Sequence, residues 1–137
     1  MLTITIPGEM RGKGRPRFSA RGGFARAFTD AKTANMEAWV KLCALERHPG
    51  MRPLDGPVSL CMTINVPVPA SWPKKRRAHA LDGTLFPTGK PDVDNCAKLV
   101  ADALNGIAWR DDSQIVALTI NKRYAETAET VLTVAEV

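Results

Sequence analysis

The sequence predicts a single α+β domain, a mixed β-sheet packed with two main helices. Three observations carry this. The chain of 137 residues is the size of one ordinary domain, long enough to bury a core without disulfides. Apolar alternation is confined to separated strand-like stretches. Helical spacing fills the intervals, in the order β, α, β, short α, α, β, β, with no repeat, linker or low-complexity stretch.

Leu2–Ile6 alternates apolar residues with Thr, a strand pattern. Residues 8–28 are rich in Gly, Arg and Lys and read as a long loop or hairpin, with Arg21-Gly22-Gly23 at its tip. Thr29 or Asp30 is placed to cap a helix running to about Arg47. Its apolar positions near helical spacing are Ala34, Ala38, Trp39, Leu42 and Leu45. Pro49, Gly50 and Pro53 end it.

Val58–Val66 is the second strand, stopped by Pro67 and Pro69. Ser71-Trp72-Pro73 leads into a short helix bearing Lys74, Lys75, Arg76 and Arg77, and Asp82-Gly83 is a turn signal. Thr84–Pro91 reads as irregular. A second main helix is expected from near Asp94 to near Asn105, stopped by Gly106. Ile115–Tyr124 and Thr130–Val134 read as closing strands that can pair as a hairpin.

Several function classes fall away. The start lacks the basic and apolar regions of a signal peptide, and no stretch approaches the ~18 apolar residues of a membrane span. Cys43, Cys61 and Cys96 form no CxxC, which argues against zinc ribbons and disulfide scaffolds and fits a reduced cytoplasm. With only His48 and His79, a His-rich metal site or a Ser-His-Asp triad is a poor fit.

The net charge of +5 conceals an asymmetry: residues 1–91 sum to +9 and residues 92–137 to −4. A basic body with an acidic cluster points to a polyanion partner and a cation at the cluster. Residues 11–32 hold Arg11, Lys13, Arg15, Arg17, Arg21, Arg26 and Lys32 against one acid, Asp30, more than solubility needs, and read as phosphate contacts. Phe18, Phe24 and Phe28 among them read as loop anchors rather than stacking residues, and Trp72 and Trp109 as core. Lys74–Arg77 is equally a solvated helix face or a second phosphate contact.

The chemistry is concentrated in Lys90–Val116, KPDVDNCAKLVADALNGIAWRDDSQIV. In extended chain Asp92 and Asp94 point to one side, because the period there is two. Asp94, Lys98 and Asp102 form one stripe of the following helix, and Cys96, Val100, Ala103, Leu104 and Ile107 form the opposite, apolar stripe. Two carboxylates plus one from Asp111-Asp112 suit Mg²⁺, a hard cation that takes oxygen ligands. A plainer reading stays open, with an exposed ladder of ion pairs, Asp94 a cap and Asp111-Asp112 a turn. Geometry sets a condition: the helix is about 18 Å long, and residues 106–112 span at most ~23 Å. Asp112 therefore approaches Asp92 and Asp94 only if residues 106–112 run back along the helix. Asp102, about 12 Å along the axis from Asp94, is better placed as a partner of Lys98 than as a shared ligand.

Other motifs fail. Gly8–Lys13 has the wrong glycine spacing for a P-loop, with Gly14 where Ser or Thr is needed. DVDN lacks the glycine and final Glu of an EF-hand. Pro91-Asp92 is not followed by the acidic-x-Lys of PD-(D/E)xK nucleases.

KPDVDN, then Lys98, then Asp102-Ala-Leu-Asn-Gly and Asp111-Asp112-Ser-Gln-Ile-Val, resembles the RusA family of Holliday junction resolvases. The likeness is strongest over residues 90–124 and extends loosely to Gly14–Phe18 and the closing strands. It implies a small α+β homodimer, common in phages and prophages, that uses Mg²⁺ to nick four-way DNA junctions symmetrically. Mn²⁺ is the alternative ion, and no small-molecule cofactor or membrane is implied. The family's metal-binding aspartates fall on Asp92, Asp94 and Asp112, and its lysine on Lys98. Asn95, Asp102 and Asp111 complete the motif as supporting side chains. Arg11, Lys13, Arg15, Arg17, Lys74, Lys75, Arg76, Arg77 and Lys90 are the candidate DNA contacts. Residues 72–84 have no evident counterpart in the family's core. The rival expectations are a nuclease for other branched or single-stranded nucleic acid, and a DNA-binding module without catalysis.

Overall fold

A computed structural model of the chain describes residues 1–14, 17–19, 26–28 and 31–137, with 17–19 and 26–28 described as backbone. The elements are β1 (Leu2–Pro7), β2 (Arg17–Ser19), β3 (Arg26–Phe28), α1 (Ala31–Arg47), β4 (Val58–Pro67), α2 (Lys74–Leu81), α3 (Val93–Ala103), β5 (Ile115–Ala125) and β6 (Glu129–Glu136). A 3₁₀ turn, Asp112–Gln114, leads into β5. This is the α+β fold expected from the sequence.

One four-stranded sheet runs in the order β1-β6-β4-β5. Strand β6 is antiparallel to both β1 and β4, while β5 is parallel to β4, so the sheet is mixed. The expected hairpin of the last two strands does not form, because β4 lies between them. Its apolar residues explain why. Val58, Leu60, Met62 and Ile64 are at most 1% exposed, and a strand this apolar is best buried with partners on both edges. β5 carries Lys122 and Arg123 and leaves Val116 and Leu118 at least half exposed, which suits an edge. Val58 pairs with Ile115 and Ser59 with Ala117, so Val116 is the extra residue of a bulge.

The basic segment does contain a hairpin: β2 pairs antiparallel with β3, Phe18 opposite Ala27. Its tip, the helix caps Thr29 and Asp30, Arg15, and the side chains of Arg17 and the three loop phenylalanines lie outside the described residues.

Helix α1 turns a different face inward from the one its apolar spacing suggested. Thr33, Met36, Val40, Cys43 and Ala44 are buried. Trp39, Leu42 and Leu45 remain 38–46% exposed, and Ala34 and Ala38 are exposed as well. The helix is apolar on two sides, and periodicity cannot say which side meets the sheet. α1 packs on α3 and β1.

Helix α3 begins one residue before Asp94 and ends two before Asn105. Cys96, Val100, Ala103 and Leu104 of the expected stripe are fully buried, with Ile107 partly buried against them, and Leu99, outside that stripe, is fully buried as well. Gly106, at φ 79°, turns the chain after the helix in a conformation that disfavours a Cβ. Trp109 is completely buried, as expected. Trp72 is only half-buried and packs edge-on against Tyr124 of β5, its ring 3.8 Å from the Arg76 guanidinium.

Candidate active site

The site is built on the start of α3. Lys90-Pro91 is a cis peptide, and Lys122 of β5 donates to the Gly89 and Pro91 carbonyls at 2.6 and 3.0 Å. This clasp ties the approach to α3 to the sheet. Asp92 is the N-cap residue, in extended conformation, and its carboxylate makes no capping hydrogen bond. Asp94 lies in the first helical turn, not in extended chain, so the period-two argument does not apply to the pair. Both side chains are exposed. Below them, burial pushes the Cys96 thiol up to about 11, with Lys122 opposing and Asp92 and Asp94 adding to the shift.

Along the same helix, Lys13 makes an ion pair with Asp102. The bond to Asp102 raises the Lys13 ammonium above the ordinary lysine value, burial opposes this, and the charges of Glu37 and Asp112 add to it. The Lys13 amide donates to the Asn95 carbonyl at 3.0 Å, and Gly14 N–H donates to Thr33 Oγ1 at 2.8 Å. A Cβ on Gly12 would stand 2.7 Å from the Asn95 Cβ, so the segment lies directly on α3. The expected pairing of Asp102 with Lys98 is thus replaced: a lysine from the N-terminal segment takes the carboxylate. Among the described residues no ion pair joins Asp94, Lys98 and Asp102, so the plain ladder does not form. Lys98 is left exposed.

The return from α3 is tied to the end of the helix. Gly106 N–H donates to the Trp109 carbonyl at 2.7 Å. The Trp109 indole donates back to the Ala101 carbonyl at 3.2 Å and Asn105 Oδ1 at 3.1 Å. Residues 105–109 therefore turn tightly at the end of the helix, and the Trp109 indole reaches back over its last turn. Asp111 caps the 3₁₀ turn, accepting from the Ser113 amide at 3.1 Å and from its hydroxyl. These bonds hold its carboxyl below the ordinary range. Asp112 is half-buried and makes no such cap. The pair thus divides, Asp111 capping the turn and Asp112 forming its first residue.

Gln114, in the motif but given no role by sequence reasoning, holds this turn. Its amide nitrogen donates to the Leu54 and Gly56 carbonyls at 2.8 and 2.9 Å. Its oxygen accepts from the Arg110 and Asp111 amides at 2.8 and 2.9 Å. An ion pair between Arg110 and Asp55 reinforces the join. Lys122 was also missed; a lone lysine in a strand carries no sequence signal of a clasp.

A cleft of about 830 Å³ opens beside Asp92. Arg11, Lys13, Lys32 and Lys90 line it, against the acids Glu9 and Asp92. Asp94, Lys98 and Asp112 are not among its walls. Lys74, Lys75 and Arg76 are exposed on α2, away from the cleft lining. Among the described residues no three His, Cys, Asp or Glu side chains are gathered closely enough to hold a metal ion. The donor chemistry nevertheless fits Mg²⁺: Asp92 is free of capping duty, Asp94 and Asp112 have no ion-pair partner among the described residues, and all three offer hard oxygens.

The family model for endodeoxyribonuclease RusA matches residues 7–135, nearly the whole chain. The chain belongs to the RusA family. A curated relative, an uncharacterized protein YqaN of Bacillus subtilis (strain 168), is 38% identical over 138 residues, covering 99% of this chain and 96% of the relative. The RusA match begins at Pro7, the last residue of β1, and ends at Ala135 in β6. It therefore takes in the cationic segment, the carboxylates and Gln114 together. RusA membership makes this chain a member of an endodeoxyribonuclease family, a class of phosphodiester hydrolases. No helix of the described residues is long and apolar enough to cross a membrane.

Proposed function

We propose that this chain is a Mg²⁺-dependent endonuclease that resolves four-way DNA junctions by paired nicks. The observation that carries the reading is the pairing of an uncommitted carboxylate, Asp92, with a cleft walled by four cations, in a chain of the RusA family. Arg11, Lys32 and Lys90 draw in the phosphate backbone; Lys13 does so while also holding Asp102. By sequence Arg15 and Arg17 join them as candidate phosphate contacts, and Lys74–Arg77 supply a second group. Asp92, Asp94 and Asp112 would hold the ion. When bound, Mg²⁺ or Mn²⁺ supplies a water acidic enough to attack near neutral pH and charge to steady the leaving oxygen. Lys98 orients the attacking water or balances charge on the phosphate. Asn95 and Asp111 keep the carboxylate-bearing backbone in place.

A two-fold dimer matches a two-fold substrate. The exposed Trp39, Leu42 and Leu45 of α1 and Val116 and Leu118 of β5 supply apolar surface for it. Free cysteines and DNA chemistry support a cytoplasmic location.

The test is incubation with a synthetic four-way junction, linear duplex and single strands, with Mg²⁺ or EDTA. Paired junction nicks that vanish in EDTA and in Asp92→Asn, with binding kept, are expected. Cleavage of other branched or single-stranded DNA instead would move the substrate, and binding without cleavage in either ion would end the enzymatic reading. Sedimentation of the free protein at twice the chain mass is expected for the dimer.

A further inference from the structure

Loop 84–91, which leads into the site, carries an exposed aromatic ring. Phe86 is 64% exposed, while the loop that carries it is pinned on both sides. Upstream, the Thr84 and Leu85 amides donate to the His79 carbonyl at 3.0 and 3.1 Å, and Thr84 N–H also reaches Asp82 Oδ1 at 2.8 Å. These bonds fasten the loop to the end of α2. Leu85 is half-buried and Pro87 is buried. Downstream, the Lys122 ammonium holds the Gly89 and Pro91 carbonyls. The chain therefore buries the neighbours of Phe86 and leaves the ring itself in water.

A single exposed apolar side chain needs no explanation by itself. Position and rigidity set this one apart. Phe86 stands six residues before Asp92, at most ~20 Å of chain away. The basic helix α2 precedes it and Lys90 of the cleft follows it. Trp39, also exposed, is by contrast tied by its indole to the Pro7 carbonyl at 2.8 Å. A phenyl ring has no polar atom, so it offers a partner only a flat π face and apolar area. Flanked in the chain by the basic helix α2 and by Lys90 of the cleft, the ring's fitting flat partner is a nucleobase, and a junction centre is where base stacking is interrupted.

We infer that Phe86 stacks on an unstacked base at the branch point and so sets where the strands are cut. This rests on the junction reading above. The test uses a four-way junction with 2-aminopurine at the branch point, in EDTA so that nothing is cleaved. Wild type and Phe86→Trp are expected to change the fluorescence at least twofold on binding. Phe86→Ala is expected to lose that change, bind about tenfold more weakly, and spread its nicks over neighbouring positions once Mg²⁺ is added. Phe86→Ala affinity within twofold of wild type, with the same fluorescence change, would overturn the inference while leaving the junction reading intact. A loss of dimer in sedimentation with unchanged fluorescence would also overturn it, assigning the ring to contact between copies. Wild type that binds junction no better than duplex would defeat the junction reading and this inference with it.

Discussion

Lys13 and Asp102, 89 positions apart, form the ion pair that fastens the cationic N-terminal segment to the acidic helix α3. One side chain belongs to the basic body of the sequence and the other to its acidic end. The bond orients the segment that lines the cleft and withdraws Asp102 from Lys98.

The pair is about one-third exposed, so its removal is expected to cost about 1 kcal/mol or less. Its pH dependence follows from the raised Lys13 value. A cation stabilised by folding contributes in full below its unfolded value, near 10.5, and loses that contribution as pH rises through the folded value. Asp102→Ala should therefore lower the urea midpoint at pH 7 and differ little from wild type above the lysine range. An equal deficit at pH 7 and pH 11 would mean the ion pair is not the cause.

Gly12→Ala places a methyl group 2.7 Å from the Asn95 Cβ. The segment must lift off α3, carrying Arg11 and Lys13 with it. Junction affinity is expected to fall several-fold with a shallower salt dependence, since fewer phosphates are neutralised. Filter binding across a salt series measures both.

Gln114→Ala removes four hydrogen bonds and leaves the Leu54 and Gly56 carbonyls and two amides to find water. A stability loss of about 1–3 kcal/mol is expected. Because the same side chain holds the turn that carries Asp112, nicking should also need a higher Mg²⁺ concentration. A Mg²⁺ titration that matches wild type would leave Gln114 a purely structural residue.

Trp109 fills the core and bonds back to α3. Trp109→Phe should cost about 1–2 kcal/mol through the lost indole hydrogen bonds, and Trp109→Ala about 3–5 kcal/mol through the cavity. Chemical denaturation ranks the two.

Thiol labelling at pH 8 should modify Cys61 rapidly, because it is exposed, and spare Cys43 and Cys96, which are buried with raised thiol values. Both should react on unfolding. Rapid reaction at three sites would mean that α1 and α3 do not pack as described.

Local chemistry was legible in the sequence wherever one segment sufficed. The strands, the turn at Asp82-Gly83 and the buried stripe of α3 follow from spacing within a few residues, since period and turn preference are local properties. The carboxylate motif, with its lysine and Asp111-Asp112, was legible for the same reason. Only the tertiary structure decided which face of α1 is buried, that β4 separates β5 from β6, that Asp102 belongs to Lys13, and that Lys122 and Gln114 hold the site's backbone. Each of these depends on a partner tens of residues away. Helical and strand periods record that a residue needs burial or a counter-charge, but the identity of the partner is set by packing, and packing is not written within any one window of the chain.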